Sequence, residues 1–177
     1  MPYTTAPQQM ANFRIQNVRF VVRAAAILLA QEHILLHRRA DDTFWALPGG
    51  KVEVGEVASQ AVMREIREEI GEAITCQKLA FCVENFFEHA GECTHELGYY
   101  FFAHLVPGTP LTDKSKTHPG IEKSKRLEYR WFRVSELHGI DLRPAFLRNA
   151  NLAAHAETQH VVQGKPHRLE AEHLPVG

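Results

Sequence analysis

Apolar positions along the chain change period several times, and each change marks a boundary between predicted elements. Residues 19–30 (RFVVRAAAILLA) and 33–37 (HILLH) are rich in Val, Ile and Leu and are separated only by Gln31 and Glu32. They predict two antiparallel strands that open the fold as a hairpin. Pro48, Gly49 and Gly50 then punctuate residues 41–50, which reads as a loop with special backbone dihedrals. From Glu56 to Ile70 the chain carries good helix formers and neither Gly nor Pro, so a helix is predicted over 56–70. On a helical wheel Val62, Ile66 and Ile70 form one stripe with Met63 at its edge, and Glu65, Glu68 and Glu69 gather roughly opposite. Gly71 stands where a helix end favours positive φ.

Residues 74–88 and 95–106 come next as strands with aromatic content, the second carrying Tyr99 and Tyr100, of which only one can face a core. Residues 108–126, with Pro110, Pro119 and Gly120, read as a long surface loop. Residues 130–134 (RWFRV) alternate like a strand, Ser135 suits the start of a short turn, and 144–156 resemble a last helix. The chain from Glu157 reads as a polar tail relieved by Val161 and Val162, and residues 1–12 as a loose N-terminal tail. Glu84, Glu88, Glu92 and Glu96 recur every four residues, but Gly91 argues against a helix and they read as edge or hairpin charge. There is no internal repeat, and residues 1–177 are expected to form one domain.

Composition narrows the function. Of 177 residues, 45% are apolar, and 20 Lys and Arg against 21 Asp and Glu leave a formal charge of -1. Such a balance gives little grip on duplex nucleic acid or an anionic membrane, so neither is expected as a partner. The longest apolar stretch, 20–30, is interrupted by Arg23 and falls well short of the ~20 residues that cross a bilayer. Residues 1–12 hold no Lys or Arg and no apolar run, which matches neither a secretory signal nor a transit peptide. Cys76, Cys82 and Cys93 are an odd number without a CxxC pair, so free thiols in a reducing cytoplasm are expected, and a sulfur-bound zinc is not. His33 and His37 would share a face only on a helix, and their segment reads as a strand.

The chemistry gathers between Gly50 and Glu72. Glu65, Glu68 and Glu69 sit at i, i+3 and i+4 of the predicted helix, where like charges repel unless a cation intervenes. Carboxylate oxygens suit a hard divalent ion, Mg²⁺ or Mn²⁺, which keeps waters and shares substrate phosphates. The bend at Gly49 and Gly50 can turn a backbone carbonyl toward the same ion.

The spacing Gly50, Glu56, then Arg64-Glu65-Ile66-Arg67-Glu68-Glu69-Ile70-Gly71 resembles the Nudix box, G-x(5)-E-x(7)-R-E-U-x-E-E-x-G-U, with U a bulky apolar residue. Glu72 departs at the last apolar position, and Leu47-Pro48-Gly49-Gly50 before the box also looks like the family. The resemblance implies an α/β Nudix fold, an α/β/α sandwich around a mixed β-sheet. It implies Glu65, Glu68 and Glu69, with the Gly50 carbonyl, as metal ligands. It further implies that Glu65 helps deprotonate a water, that Arg64 orients a neighbouring glutamate, and that Glu56 supports the loop. Many members recruit a further acid from the loop before the last strand. Glu122 is the candidate and Glu128 its rival.

The activity that the resemblance implies is that of a Mg²⁺- or Mn²⁺-dependent pyrophosphohydrolase cleaving a nucleoside diphosphate linked to another moiety: a triphosphate, a nucleotide sugar or a dinucleotide. The alternative is a non-catalytic nucleotide sensor on the same fold. An isoprenoid diphosphate isomerase would want a cysteine near the site, and all three cysteines fall after the box. The proline after the box that marks many ADP-ribose hydrolases is absent, since none lies between Pro48 and Pro107. Arg38, Arg39 and Trp45, with Phe44, are candidates for substrate contact, through bidentate phosphate binding and base stacking. Pairing among relatives implies a homodimer.

Overall fold

Strand β1 (Asn12–Ile15) leads into the long β2 (Val18–Ala30) and then β3 (His33–Arg39). Short strands β4 (Trp45–Ala46) and β5 (Gly49–Lys51) precede helix α1 (Ala58–Ile70). Next come β6 (Ile74–His89), β7 (Glu92–Leu105), β8 (Thr117–Pro119), β9 (Leu127–Arg133), β10 (Leu142–Arg143) and β11 (Gln159–Gln163). 3-10 turns occupy Pro110–Thr112, Val134–Gly139 and Ala145–Arg148. The computed structural model describes residues 9–152 and 157–167.

The thirteen residues of β2 organise a mixed sheet whose main path runs β10-β4-β3-β2-β7-β6-β11. Strand side chains alternate between faces. Ala24, Ala26 and Leu28 therefore enter one core, while Ala25 and Ile27 enter the other. The first core is closed by α1, which lays Ala61, Val62, Ile66 and Ile70 on Leu35, Tyr129 and Trp131. The second joins Ile34, Leu36, Phe81, Tyr100 and Phe132 to Leu142 of β10 and to Leu137 and Leu147 of the C-terminal 3-10 turns.

Helix α1 starts at Ala58, two residues later than its composition suggests, because Glu56 belongs to a turn whose N–H reaches the Glu53 carbonyl. It ends as expected at Gly71, whose φ of 80° lets its N–H return to the Arg67 carbonyl.

Several expectations are corrected. The hairpin of 19–30 with 33–37 exists only at its tip, where Leu29 and Ala30 face Ile34 and His33. The rest of β2 pairs in parallel with β7, while β3 pairs along its whole length with β9. The expected loop 41–50 contains β4 and β5, and 108–126 contains a 3-10 turn and β8. β6 and β7 form one antiparallel hairpin turned at Ala90 and Gly91, both with positive φ, so the four periodic glutamates are hairpin charge. Tyr100 is buried and Tyr99 is not.

The expected helix over 144–156 is a single 3-10 turn at Ala145–Arg148; residues 153–156 lie outside the described residues. Phe146 packs edge-on against Phe81 and stacks on Tyr100, and Asn149 follows with non-helical dihedrals, so packing prevails over a weak local preference. The supposed polar tail contributes β11, which adds in parallel to β6 at the sheet edge, and β1 begins at Asn12 where a loose tail is expected. The three cysteines are free thiols, and no helix among the described residues is long and apolar enough to cross a membrane.

Ile66 is fully enclosed between α1 and the sheet. Ile66→Ala is expected to lower unfolding stability by about 2–5 kcal/mol, read by urea denaturation. A loss below about 1 kcal/mol would contradict the helix-on-sheet packing.

Candidate functional site

The site begins with two glycines at the start of the box. Gly49 has φ +148°, and a Cβ there would lie 2.1 Å from the Ala24 carbonyl oxygen of the neighbouring β2. At Gly50 a Cβ would lie 2.1 Å from the Glu65 Cδ, so the missing side chain is the seat of the Glu65 carboxylate. Arg23 holds this turn from below, donating to the carbonyls of Leu47 at 3.2 Å and Gly49 at 3.0 Å.

Helix α1 presents two buried carboxylates one turn apart, Glu65 at 4% and Glu69 at 3% exposure, beside an exposed Glu68 whose side chain is 47% accessible. Arg64 binds across this cluster. Its Nε and one terminal nitrogen grip both oxygens of Glu56 at 2.9 and 3.0 Å, and that same nitrogen donates to the Lys51 carbonyl at 3.1 Å. Its other terminal nitrogen reaches Glu65 at 3.1 Å and Glu68 at 3.2 Å. The Glu56 carboxylate also accepts the Glu53 N–H at 3.1 Å. Hydrogen bonding to Arg64 holds the Glu56 carboxyl below its ordinary pKa, and the Glu56 partnership raises that of Arg64 against the opposing effect of burial.

Three residues outside the expected set complete the cluster. The Lys125 ammonium lies 3.1 Å from Glu69, 3.5 Å from Glu65 and 2.9 Å from Glu122. The Tyr129 hydroxyl donates to the other Glu69 oxygen at 2.8 Å. Burial raises the Glu69 pKa against the stabilising help of Tyr129 and Lys125. His37 Nδ1 comes within 3.8 Å of Glu69, but burial, Arg23 and Lys125 push the imidazole down to about 3. It is therefore neutral near pH 7, and the contact is not an ion pair. None of the three has a local signal: Lys125 and Tyr129 arrive through the pairing of β9 with β3, and His37 reads as one strand residue among many.

The other candidates separate. Glu122 faces the cluster through Lys125, whereas Glu128 points to Arg38, with which it forms a close ion pair. The Arg38 guanidinium also lies over the Trp45 ring, 4.6 Å from its centroid. Trp45 is 8% exposed and packs edge-on against Phe132 in the core. Phe44 instead lines the open space, with the Arg143 guanidinium 4.3 Å above its ring. That space is a cleft of about 890 Å³ whose walls carry His37, Arg39, Phe44, Gly50, Glu69 and Lys125. Arg39 forms no salt bridge with any described carboxylate.

Among the described residues no three acidic, His or Cys side chains close into a ligand set by themselves. Glu68 turns toward Arg64, and Lys125 stands between the others. The residues nevertheless fit a hard divalent ion. Glu65, Glu69 and Glu122 already surround a cation, their donors are all oxygen, and the Gly50 position is bare of any side chain that would fill the cradle.

Residues 19–155 match the family model described as NUDIX domain. The dihydroneopterin triphosphate diphosphatase of Escherichia coli (strain K12) is 33% identical over 108 residues, 55% of this chain and 66% of that protein, just under two thirds of its length. The 8-oxo-dGTP diphosphatase of the same organism is 50% identical over 42 residues, 22% of this chain and 33% of that protein. Among solved structures, a NUDIX hydrolase from Nitrosomonas europaea superposes with a TM-score of 0.55 at 20% identity, covering 82% of this chain and 79% of its own, a likeness of fold. The chain belongs to the Nudix family and has its α/β fold around a mixed sheet.

Arg64→Ala removes the cation shared by Glu56 and Glu65, and is expected to cost about 1–3 kcal/mol of stability at neutral pH. The folded pKa of Glu56 lies below its ordinary 4.5. Its contribution is therefore full above that value and fades as pH falls through the lower folded one. Denaturant unfolding in neutral and acidic buffer should show the deficit shrinking in acid; a deficit independent of pH would contradict the assignment.

Proposed function

We propose that this chain is a Mg²⁺- or Mn²⁺-dependent hydrolase of the phosphoric anhydride bond in a nucleoside diphosphate linked to a further group. The observation that carries this reading is the convergence of Glu65, Glu69 and Glu122 on one cationic point beside the Gly49–Gly50 turn, at the wall of a cleft large enough for a nucleotide. Membership of the Nudix family supports it. The two relatives are named as diphosphatases of triphosphate substrates, which supports a nucleoside triphosphate as the first substrate to examine.

In this reading Glu65, Glu68 and Glu69, with the Gly50 carbonyl, would hold the ion. The bound ion supplies neutralisation of phosphate oxygens and a more acidic water. Glu65 accepts the proton of the attacking water as its oxygen bonds to phosphorus and the anhydride P–O bond breaks, releasing a nucleoside monophosphate and the remaining group. Arg64, gripping Glu56 in two-point geometry, fixes the loop and aims Glu65. Tyr129 and neutral His37 close the protein side of Glu69 and exclude water there. The direction of Glu122 toward the cluster supports it as the additional acid, and the tie of Glu128 to Arg38 disfavours the rival. Arg39, at the cleft without a salt bridge to a described carboxylate, is placed to meet a substrate phosphate.

The experiment is release of phosphate or nucleotide from triphosphates, nucleotide sugars and dinucleoside polyphosphates with Mg²⁺, Mn²⁺ or chelator. Turnover is expected with either ion and absent with chelator. Glu69→Gln is expected to lower kcat/KM by more than about tenfold, the least that loss of a metal-holding group should cost. A smaller loss would remove Glu69 from the metal-holding set, and silence across the panel together with thermal stabilisation by a nucleotide would replace the hydrolase with a nucleotide-binding module.

A further inference from the structure

Lys125 stands where the proposed function needs a metal ion, and its backbone explains why. The segment 120–126 is pinned to the rest of the fold at both ends. Gly120 and Ile121 donate to the carbonyls of Leu127 and Glu69 at 2.8 and 2.7 Å, and Ala40 donates to that of Arg126 at 2.9 Å. Within the segment the Lys125 N–H returns to the Glu122 carbonyl at 3.1 Å. The ammonium therefore reaches Glu65, Glu69 and Glu122 on a flexible four-carbon stem rising from a fixed base. Arg64 is shared among Glu56, Glu65 and Glu68, and Lys125 among Glu65, Glu69 and Glu122, so five carboxylates face two cations, and a divalent ion covers the remaining negative charge better. The side chain is also part of the cleft wall, so it can leave the carboxylates without any movement of the loop.

We propose that Lys125 is a tethered placeholder cation: it holds the carboxylates together while the divalent ion is absent, is displaced by the ion, and then faces the anhydride phosphates in the cleft. The proposal rests on the hydrolase reading of the same site. It makes Lys125 a substrate-facing residue that lowers the affinity of the free protein for metal and passes its charge to an anionic substrate once metal is bound. Both cations then bear on the same substrate, and ion and phosphate binding become coupled.

The test is Mn²⁺ alone, titrated into the chelator-stripped 177-residue chain and followed by electron paramagnetic resonance. Lys125→Met is expected to bind Mn²⁺ about fivefold or more tightly than the wild type. Lys125→Gln, which keeps a hydrogen-bond donor but no charge, is expected to shift in the same direction, and Lys125→Arg to stay near the wild type. In chelator Lys125→Met should melt below the wild type, and excess Mg²⁺ should narrow the gap. With Mn²⁺ saturating, it should bind inorganic tripolyphosphate several-fold more weakly. Equal or weaker Mn²⁺ binding by both uncharged variants, with the wild type binding normally, overturns the placeholder role and leaves the hydrolase reading intact. Absence of Mn²⁺ binding in every protein, wild type included, overturns both.

Discussion

Two buried carboxylates held one helical turn apart are the constraint around which the molecule is arranged. Unit charges about 4 Å apart near a protein surface interact by about 4 kcal/mol, so Glu65 and Glu69 cannot be buried as neighbours without cations close by. The fold supplies them from two sides. Arg64 lies along the helix and gathers Glu56, Glu65 and Glu68, while Lys125 approaches from the loop before β9 and gathers Glu65, Glu69 and Glu122. Glu65 is shared by both. The carboxylate has room only because residue 50 is glycine.

The sheet makes this arrangement rigid. β2 carries β5, and with it the Gly49–Gly50 turn, on one edge, while its alternate residues form the floor under α1. β3 brings His37, which lines the cleft, and β9 brings Tyr129, part of the helix-facing core, to the inner side of Glu69, so the site stands directly on that core. A polar cluster built in this way has few rotamers open to it, which suits a site that must present oxygen atoms in fixed positions. The opposite core, under Phe146, Leu147 and the turns around them, supports the far wall of the cleft, where Arg143 lies over Phe44.

Much of this is legible in the amino-acid sequence. Helix α1, its end at Gly71 and the cluster of acids with Arg64 come from local propensity and spacing, and the need for glycine at 50 comes from the box; but Glu65 and Glu69, expected opposite the apolar stripe, are buried beside it, and only Glu68 is exposed. The parts that stay hidden depend on strands meeting across the chain. Lys125 lies in a charged loop and looks like any solvated lysine until β9 pairs with β3. Tyr129 lies just outside the strand expected at 130–134 and carries no signal until β9, which begins at Leu127, sets it beneath Glu69. Trp45 reads as a stacking candidate, yet the approach of Phe132 from β9 draws it into the core and leaves Phe44 on the cleft. Local preference misleads for the same reason at the C-terminal end. Residues 145–148 take up a 3-10 turn because Phe146 is drawn onto Phe81 and Tyr100, and β11 is a strand because the exposed edge of β6 accepts it.

If water attacks a phosphoric anhydride at this cluster, transfer of solvent oxygen to a product tests it most directly. A nucleoside triphosphate turned over in ¹⁸O-enriched water with Mg²⁺, with the products read by mass spectrometry, should carry the label in one of the two phosphate-bearing products, and the labelling should vanish with chelator. A triphosphate that stays intact with the metal present would exclude it as the substrate, and labelling that persists in chelator would contradict hydrolysis at this site.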